Sequence, residues 1–234
     1  NAKLSKRNGE VSIAWYREMG FLPEAICNYL ALLGWSPGDD VENITMKQLT
    51  EMFTVEKVHS SPARFDMKKL EAINGDKIRA LTLDDFLKWS LPFLTKANVI
   101  TGTDAEIALV KQALPLIQER IVKLDEVPAM LRFLFVKDFK VEEASLPKVS
   151  DSASKDVLKR SLTELTPLTT WNHESIEAAL RTSLIEELGL KPRIAFGAVR
   201  IATTGSTISP PLFESMELLG KDASLARIAA AIAL

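Results

Sequence analysis

The chain has 234 residues, of which 47% are hydrophobic and 26% charged, with a formal net charge of −2. So much apolar side chain excludes a disordered or collagen-like chain, and the slightly negative charge excludes a protein that is basic throughout. One cysteine and two histidines exclude a disulfide framework and leave little for a metal site.

An all-α chain is predicted, because apolar residues recur at spacings of three and four and alternating runs rich in Val, Ile and Thr are missing. In the first third, five helices are predicted: Val11–Met19, Glu24–Leu33, Met46–Phe53, Met67–Ile73 and Leu83–Thr95. Thr45 and Asp66 are suited to N-caps, and Asn74-Gly75 is predicted to end the fourth helix. Pro92 is expected to kink or end the fifth.

The middle of the chain carries its clearest start signal, the capping box of Thr103 and Glu106. The helices predicted after it are Ile107–Leu124 with an interruption at Pro115, Pro128–Phe135, Asp156–Leu165, His173–Leu188, Leu212–Leu219 and Ala223–Ala233. Lys137–Ser154 is rich in charge, Ser and Pro, which predicts a domain boundary there. Pro192–Ser209 is expected to be less regular.

A membrane span is not predicted, because no apolar run approaches the roughly 20 residues that cross a bilayer. A signal peptide is not predicted either, because the first residues are polar and basic and lack its apolar stretch. Together with the low cysteine count, this favours a soluble cytoplasmic protein. The chain begins at Asn1 rather than at methionine, which predicts a longer polypeptide upstream.

Two segments are positively charged and free of acids. Ala2–Gly9 contains Lys3, Lys6 and Arg7, and Leu188–Phe213 contains Lys191, Arg193 and Arg200. Both are rich in Ser, Thr and Gly, so their cations, hydroxyls and backbone N–H groups suit a polyanion such as nucleic acid. A solvated loop explains the same composition, and both interpretations stay open at this point.

The other reactive side chains do not form a complete active site. His59 and His173 are more than 100 residues apart without a nearby second ligand, so a metal site is not predicted. Cys27 lies in an apolar helix and is expected to be buried. Phe86, Trp89 and Phe93 have helical spacing and are expected in the core rather than under a nucleic-acid base.

Several motifs resemble the bacterial glutamyl-tRNA synthetases, which are class I aminoacyl-tRNA synthetases. Lys3-Leu4-Ser5-Lys6-Arg7 is similar to their KMSKS-type signature, and Gly20–Ala25 and Asn28–Ser36 resemble the segment that follows it. Near the other end, Arg200, Thr204-Gly205 and Pro211–Lys221 resemble the family's LRxALTG and LLGKE patterns. The match spans essentially the whole chain, and Ala202–Gly205 favours an actinobacterial member.

The resemblance implies the C-terminal half of such an enzyme, downstream of the catalytic Rossmann-type domain. Its fold would be all-α: a signature loop and helical stem-contact region over 1–81, then an anticodon-binding helical cage in two parts over 82–145 and 146–234. Lys6 would stabilise the phosphates of ATP during activation of glutamate, with Lys3, Leu4, Ser5 and Arg7 completing the ATP-binding loop. ATP with magnesium would serve the parent enzyme, whereas no cofactor or resident metal is expected for this part alone.

The resemblance also implies anticodon readers. Arg200 and Thr204 match the LRxALTG segment, and Arg120 matches the arginine of the family's QxRxxxL helix; Arg120 could equally be a surface residue paired with Glu119 or Glu126. The expected partner is glutamate-specific tRNA bound by a monomer, without DNA or membrane. The alternative is a helical protein-interaction module that does not bind RNA.

Overall fold

A computed structural model describes residues 12–38, 41–59 and 65–234. These residues confirm the all-α prediction, since the described ranges contain helices and turns and only one isolated antiparallel bridge, between Trp35 and Val58. Within those ranges, none of the helices combines the length and apolarity needed to cross a membrane.

Helices follow one another along the described ranges of the chain. Their bounds are α1 Ile13–Glu18, α2 Pro23–Leu32, α3 Met46–Met52, α4 Met67–Arg79, α5 Leu83–Lys96, α6 Asp104–Ala113, α7 Pro115–Gln118, α8 Val127–Leu131, α9 Ser152–Leu165, α10 His173–Arg181, α11 Pro192–Thr204, α12 Leu212–Leu219 and α13 Lys221–Ile232. Short 3-10 turns lie at Val55–Lys57, Leu124–Glu126, Arg132–Leu134 and Glu143–Lys148, and a π-helical segment, Thr182–Glu187, extends α10. Predicted caps at Thr45, Asp66 and Thr103 are confirmed, each accepting a backbone N–H of the first turn, and Asn172 caps α10 in the same way.

The chain divides into two compact units. Unit 1 comprises Asn1–Lys96 and Ile117–Pro128, and unit 2 comprises Ala97–Leu116 and Ala129–Leu234. The domain boundaries expected after residues 81 and 145 stay a prediction.

In unit 1, the buried side chain of Asn74 in α4 connects three segments. Its carbonyl oxygen accepts the Leu22 N–H at 2.8 Å, while its amide donates to the carbonyls of Val122 at 2.6 Å and Gly20 at 3.3 Å. The Leu124 N–H also donates to the Gly20 carbonyl, at 3.1 Å. These hydrogen bonds attach residues 117–128 to α2 and α4.

Beside that junction, Lys77 is a lysine with an almost fully buried side chain. Its ammonium donates to the Ile44 carbonyl at 2.7 Å, and the Ile44 N–H donates to the side-chain oxygen of Asn28 at 2.8 Å. Burial lowers the pKa of Lys77, although Glu24 and Asp76 oppose that shift. The segment before α3 is therefore fixed to α2 and α4 by buried polar side chains.

Unit 2 is built around one apolar core. Helices α9 to α13 bury their apolar faces against one another, among them Leu158, Leu180, Val199 and Ile228. Lys221, at the start of α13, donates to the carbonyls of Thr166 at 2.8 Å and Leu168 at 2.6 Å after the end of α9. A cation is favourable at this helix C-terminus, where carbonyls lack partners within the helix.

Four sequence-based predictions are wrong or only partly right. Helix α4 continues through Asn74-Gly75 to Arg79, and α11 is a regular helix over most of the stretch expected to be irregular. Cys27 is exposed rather than buried. Phe86 lies in the core as expected, but Trp89 is 38% exposed, because Phe86, Ser90 and Leu94 form the buried face of α5 and Trp89 lies at its edge.

In unit 2, His173 forms a pH-dependent pair with Glu217, whose carboxylate accepts from the His173 backbone N–H at 2.9 Å and lies 2.7 Å from Nδ1. The side-chain hydrogen bond to Glu217 raises the pKa of His173, and hydrogen bonds from His173 lower the pKa of Glu217. The histidine's contribution is complete below its unfolded pKa of about 6.5 and is lost as pH rises through the raised value. The carboxylate's contribution is present above its unfolded pKa of about 4.3 and is lost as pH falls through the lowered value.

We therefore expect His173→Gln to lower the melting temperature more at about pH 5.5 than at about pH 8.5. Differential scanning calorimetry of both proteins at the two pH values tests this. An equal decrease at both would show that the pair does not couple folding to protonation.

Candidate nucleic-acid interface

The signature loop, Lys3, Leu4, Ser5, Lys6 and Arg7, lies outside the described residues. Two candidate surfaces are described separately: the second acid-free segment, Leu188–Phe213, in unit 2, and Arg120 in unit 1.

The C-terminal end of α11 carries two of the predicted anticodon readers. The Arg200 guanidinium donates to the Ser209 hydroxyl at 2.5 Å and to the Pro210 carbonyl at 2.8 Å. The Thr204 hydroxyl, which is buried, donates to the Arg200 carbonyl at 2.8 Å. The Thr204 hydroxyl also donates to the Ser206 carbonyl at 3.3 Å. Both side chains therefore hydrogen-bond to residues 205–211, which are called the 205–211 loop from here on.

A glycine is required where this loop leaves α11. Gly205 has a φ of 87°, a left-handed conformation that L side chains rarely adopt. A Cβ there would lie 3.1 Å from the Lys140 carbonyl, and the Glu142 N–H donates to the Gly205 carbonyl at 2.9 Å. The 205–211 loop therefore packs on residues 139–142, which brings the exposed Lys140 beside it.

Arg227 of α13 contacts both the end of α11 and the segment around Phe139. Its guanidinium lies 3.8 Å from the centroid of the Phe139 ring and donates to the carbonyls of Thr203 at 2.7 Å and Phe133 at 2.9 Å. Burial lowers the pKa of Arg227 to about 10, so it stays charged at neutral pH. We expect it to act in packing rather than in binding.

The other end of α11 presents free positive charge. Lys191 and Arg193 are exposed, and neither forms an ion pair with any residue that the structure describes. Since no acid occurs between Leu188 and Phe213, this surface can neutralise phosphate without competition from its own carboxylates.

Arg120 lies in unit 1, after α7. It is exposed, and the structure shows no ion pair between it and another described residue. Glu126, one partner considered from sequence, instead accepts the N–H groups of Val122 at 3.2 Å and Lys123 at 2.9 Å. Arg120 is thus available to a ligand. Its role in recognising an anticodon base stays a proposal.

Sequence reasoning missed Phe139, Lys140 and the structural role of Gln118. The Gln118 amide donates to the carbonyls of Ile78 at 2.9 Å and Leu81 at 3.0 Å, at the C-terminal end of α4. Phe139 and Lys140 belong to the charged stretch interpreted as a boundary, and no local signal links them to residues more than 60 positions later. Among the described residues, no group of three His, Cys, Asp or Glu side chains could hold a metal ion.

Comparison with known proteins gives two family matches. Residues 77–232 match the model described as "Anticodon binding domain", and residues 1–72 match the model described as "tRNA synthetases class I (E and Q), catalytic domain". The chain is 46% identical over 233 residues to a glutamate–tRNA ligase of Saccharopolyspora erythraea, covering 98% of this chain and 46% of the relative. The enzyme of Paenarthrobacter aurescens is likewise 46% identical, over 239 residues, with the same coverage of both chains.

Solved structures give a concordant result. A glutamate tRNA ligase from Elizabethkingia meningosepticum, in complex with its amino acid, superimposes with a TM-score of 0.80 at 25% identity, covering all of this chain and 49% of that one. A glutamate–tRNA synthetase from Elizabethkingia anophelis gives a TM-score of 0.78 at the same identity, covering 100% of this chain and 48% of that one. The chain therefore spans about half the length of the curated relatives it matches.

Proposed function

Because this chain belongs to the glutamate–tRNA ligase family, we propose that it is the tRNA-binding and anticodon-recognising region of such an enzyme, which charges tRNA with glutamate using ATP. The match of residues 77–232 to the anticodon-binding family carries the proposal. ATP and magnesium would act in the full-length protein, where Lys6 would stabilise phosphate charge during activation of glutamate. The chain alone is expected to bind tRNA and to activate no amino acid. We further propose a cytoplasmic monomer that binds neither DNA nor membranes.

We propose two kinds of contact with tRNA, one to backbone phosphates and one to anticodon bases. Lys191 and Arg193 would neutralise backbone phosphates, which gives affinity without sequence information. Arg200 and Thr204 would act at the 205–211 loop, where they hydrogen-bond to hydroxyl and carbonyl groups that can themselves contact an unstacked anticodon base. Arg120 would read a further base with its exposed guanidinium.

A filter-binding assay with a glutamate tRNA transcript at several salt concentrations tests the phosphate contacts. Replacing both Lys191 and Arg193 with Ala should weaken binding and reduce the slope of log K against log salt by about 1 to 2, because two phosphate contacts are lost. Lys159→Ala is the control, since Lys159 is an exposed lysine of unit 2 next to Asp156. If the unaltered chain shows no salt-dependent affinity for tRNA, the protein-interaction alternative replaces the proposal.

Arg200→Ala tests base recognition in the same assay. We expect it to weaken binding of the glutamate transcript more than binding of a transcript with an altered anticodon, because a base contact is lost only from the former. Equal losses would reduce Arg200 to a phosphate or structural contact.

A further inference from the structure

Helix α3 of unit 1 buries none of its side chains. Met46, Leu49 and Met52 share one side of the helix, whereas Lys47 and Glu51 lie on the other. An amphipathic helix usually turns its apolar side to the core, but here Met46 and Met52 are exposed and only Leu49 between them is half-buried. The apolar side of α3 is therefore available to another surface.

Exposed apolar side chains also follow α3 along the chain. Phe53, Val55 and Val58 are all exposed, Val55 to 75%. Together with Met46, Leu49 and Met52 they are called the 46–58 surface from here on. Single exposed apolar residues are ordinary on proteins, but a concentration of them marks an interaction site.

The 46–58 surface is held in a defined shape by its neighbours. The Phe53 ring packs at 5.6 Å between centroids on Trp35, which is buried. Val58 pairs with Trp35 in a β-bridge, and the His59 N–H donates to the Gly34 carbonyl at 2.7 Å. Since these contacts form without a partner, binding would not require this segment to be ordered first.

We propose that, in the full-length protein, the 46–58 surface packs against the remainder of the class I catalytic domain. The surface lies within residues 1–72, which match that domain's family model, while about half the length of the curated relatives has no counterpart in this chain. Its charge also argues for a protein partner over RNA, because the two lysines of residues 45–58 are balanced by two glutamates. The proposal rests on family membership and does not require tRNA binding.

Oxidation of methionine by hydrogen peroxide, followed by mass spectrometry, tests the proposal without added ligand. Met46 and Met52 should react at least about fivefold more slowly in the full-length protein than in this chain, since susceptibility follows exposure. Met216, which is fully buried in unit 2, is the internal reference and should react slowly in both.

Each other outcome overturns the proposal. Equal reactivity in both proteins would leave the surface uncovered. Protection that grows with the concentration of this chain alone would assign the surface to a second copy, and protection that requires tRNA would assign it to RNA.

A double variant, Met52→Lys with Phe53→Lys, gives a second readout. It should lower the melting temperature of the full-length protein by several degrees more than it lowers that of this chain, because only there would the charges be buried. Leu188→Lys, at an exposed leucine of unit 2, is the control and should act similarly in both. An equal effect of the double variant on the two proteins would contradict the proposed contact.

Discussion

Replacing Asn74 with Ala should lower the free energy of unfolding of unit 1 by about 3 to 5 kcal/mol, because buried polar groups would lose their partners. The Leu22 N–H would lose its acceptor at 2.8 Å and the Val122 carbonyl its donor at 2.6 Å. Ala fills less space than Asn, so packing would be lost as well. Urea unfolding combined with hydrogen exchange of peptides from residues 117–128 measures the effect, with peptides from unit 2 as the internal reference.

Two further substitutions make this test specific. Asn43→Ala, at an exposed asparagine of the same unit, should change stability by less than about 0.5 kcal/mol. Asn74→Asp keeps an acceptor for Leu22 but, when ionised, places a negative charge beside the carbonyls of Gly20 and Val122. Its destabilisation should therefore be smaller at acid pH, where the carboxyl is protonated and can donate. Unchanged exchange in residues 117–128 for Asn74→Ala would contradict the proposed anchoring.

Asn74 also shows why local sequence signals failed at this place. Asn-Gly is a common helix stop, yet here the asparagine binds three segments that are distant in sequence, and α4 continues past it. Gly75 has a packing reason as well, since a Cβ would lie 3.2 Å from Val122 and from the Arg79 guanidinium. The tendency of Asn-Gly to end a helix is outweighed here by contacts between residues that are far apart in the sequence.

Helix α11 was misjudged for a related reason. Its glycines and the Pro210-Pro211 pair that follows predict irregular structure, but Ala195, Ala198, Val199 and Ala202 form a buried face in the core of unit 2. Burial of that face stabilises a helix that propensity alone would not. The capping box of Thr103 and Glu106 is confirmed, because both partners lie within one turn.

The sequence predicts the positive charge of the candidate interface but not the packing that holds it in place. Lys191 and Arg193 follow from counting acids and bases along the chain. The packing of the 205–211 loop on Phe139 and Lys140 does not, since it joins segments separated by more than 60 residues. Candidate binding positions can therefore be proposed from composition, whereas the residues that hold them in place need the fold.

The placement of Arg120 depends on a junction in unit 1. Residues 117–128 fall within the match to the anticodon-binding family, but they pack against residues that match the catalytic-domain family, including Gly20. The two family matches thus do not correspond to two separately folded pieces. A change that loosens this junction is expected to reach the surface that carries Arg120.

Gly20→Ala is the sharpest change of that kind, with an expected loss of about 3 to 4 kcal/mol in the free energy of unfolding of unit 1. A Cβ at Gly20 would lie 2.4 Å from the backbone nitrogen of Leu124 and 2.6 Å from that of Asp125, and neither can move without shifting residues 117–128. The φ of 81° at Gly20 adds a conformational cost for alanine.

Gly38→Ala separates the cost of the steric contact from the cost of the left-handed backbone conformation. Gly38 has a similar φ of 97°, but nothing lies within 4 Å of the position of a Cβ, so the conformational term alone should cost about 1 kcal/mol. Urea unfolding followed by tryptophan fluorescence measures both variants. If the two lose equal stability, the close approach of Gly20 to Leu124 does not constrain the fold, and the anchoring of the Arg120 segment must depend on Asn74 instead.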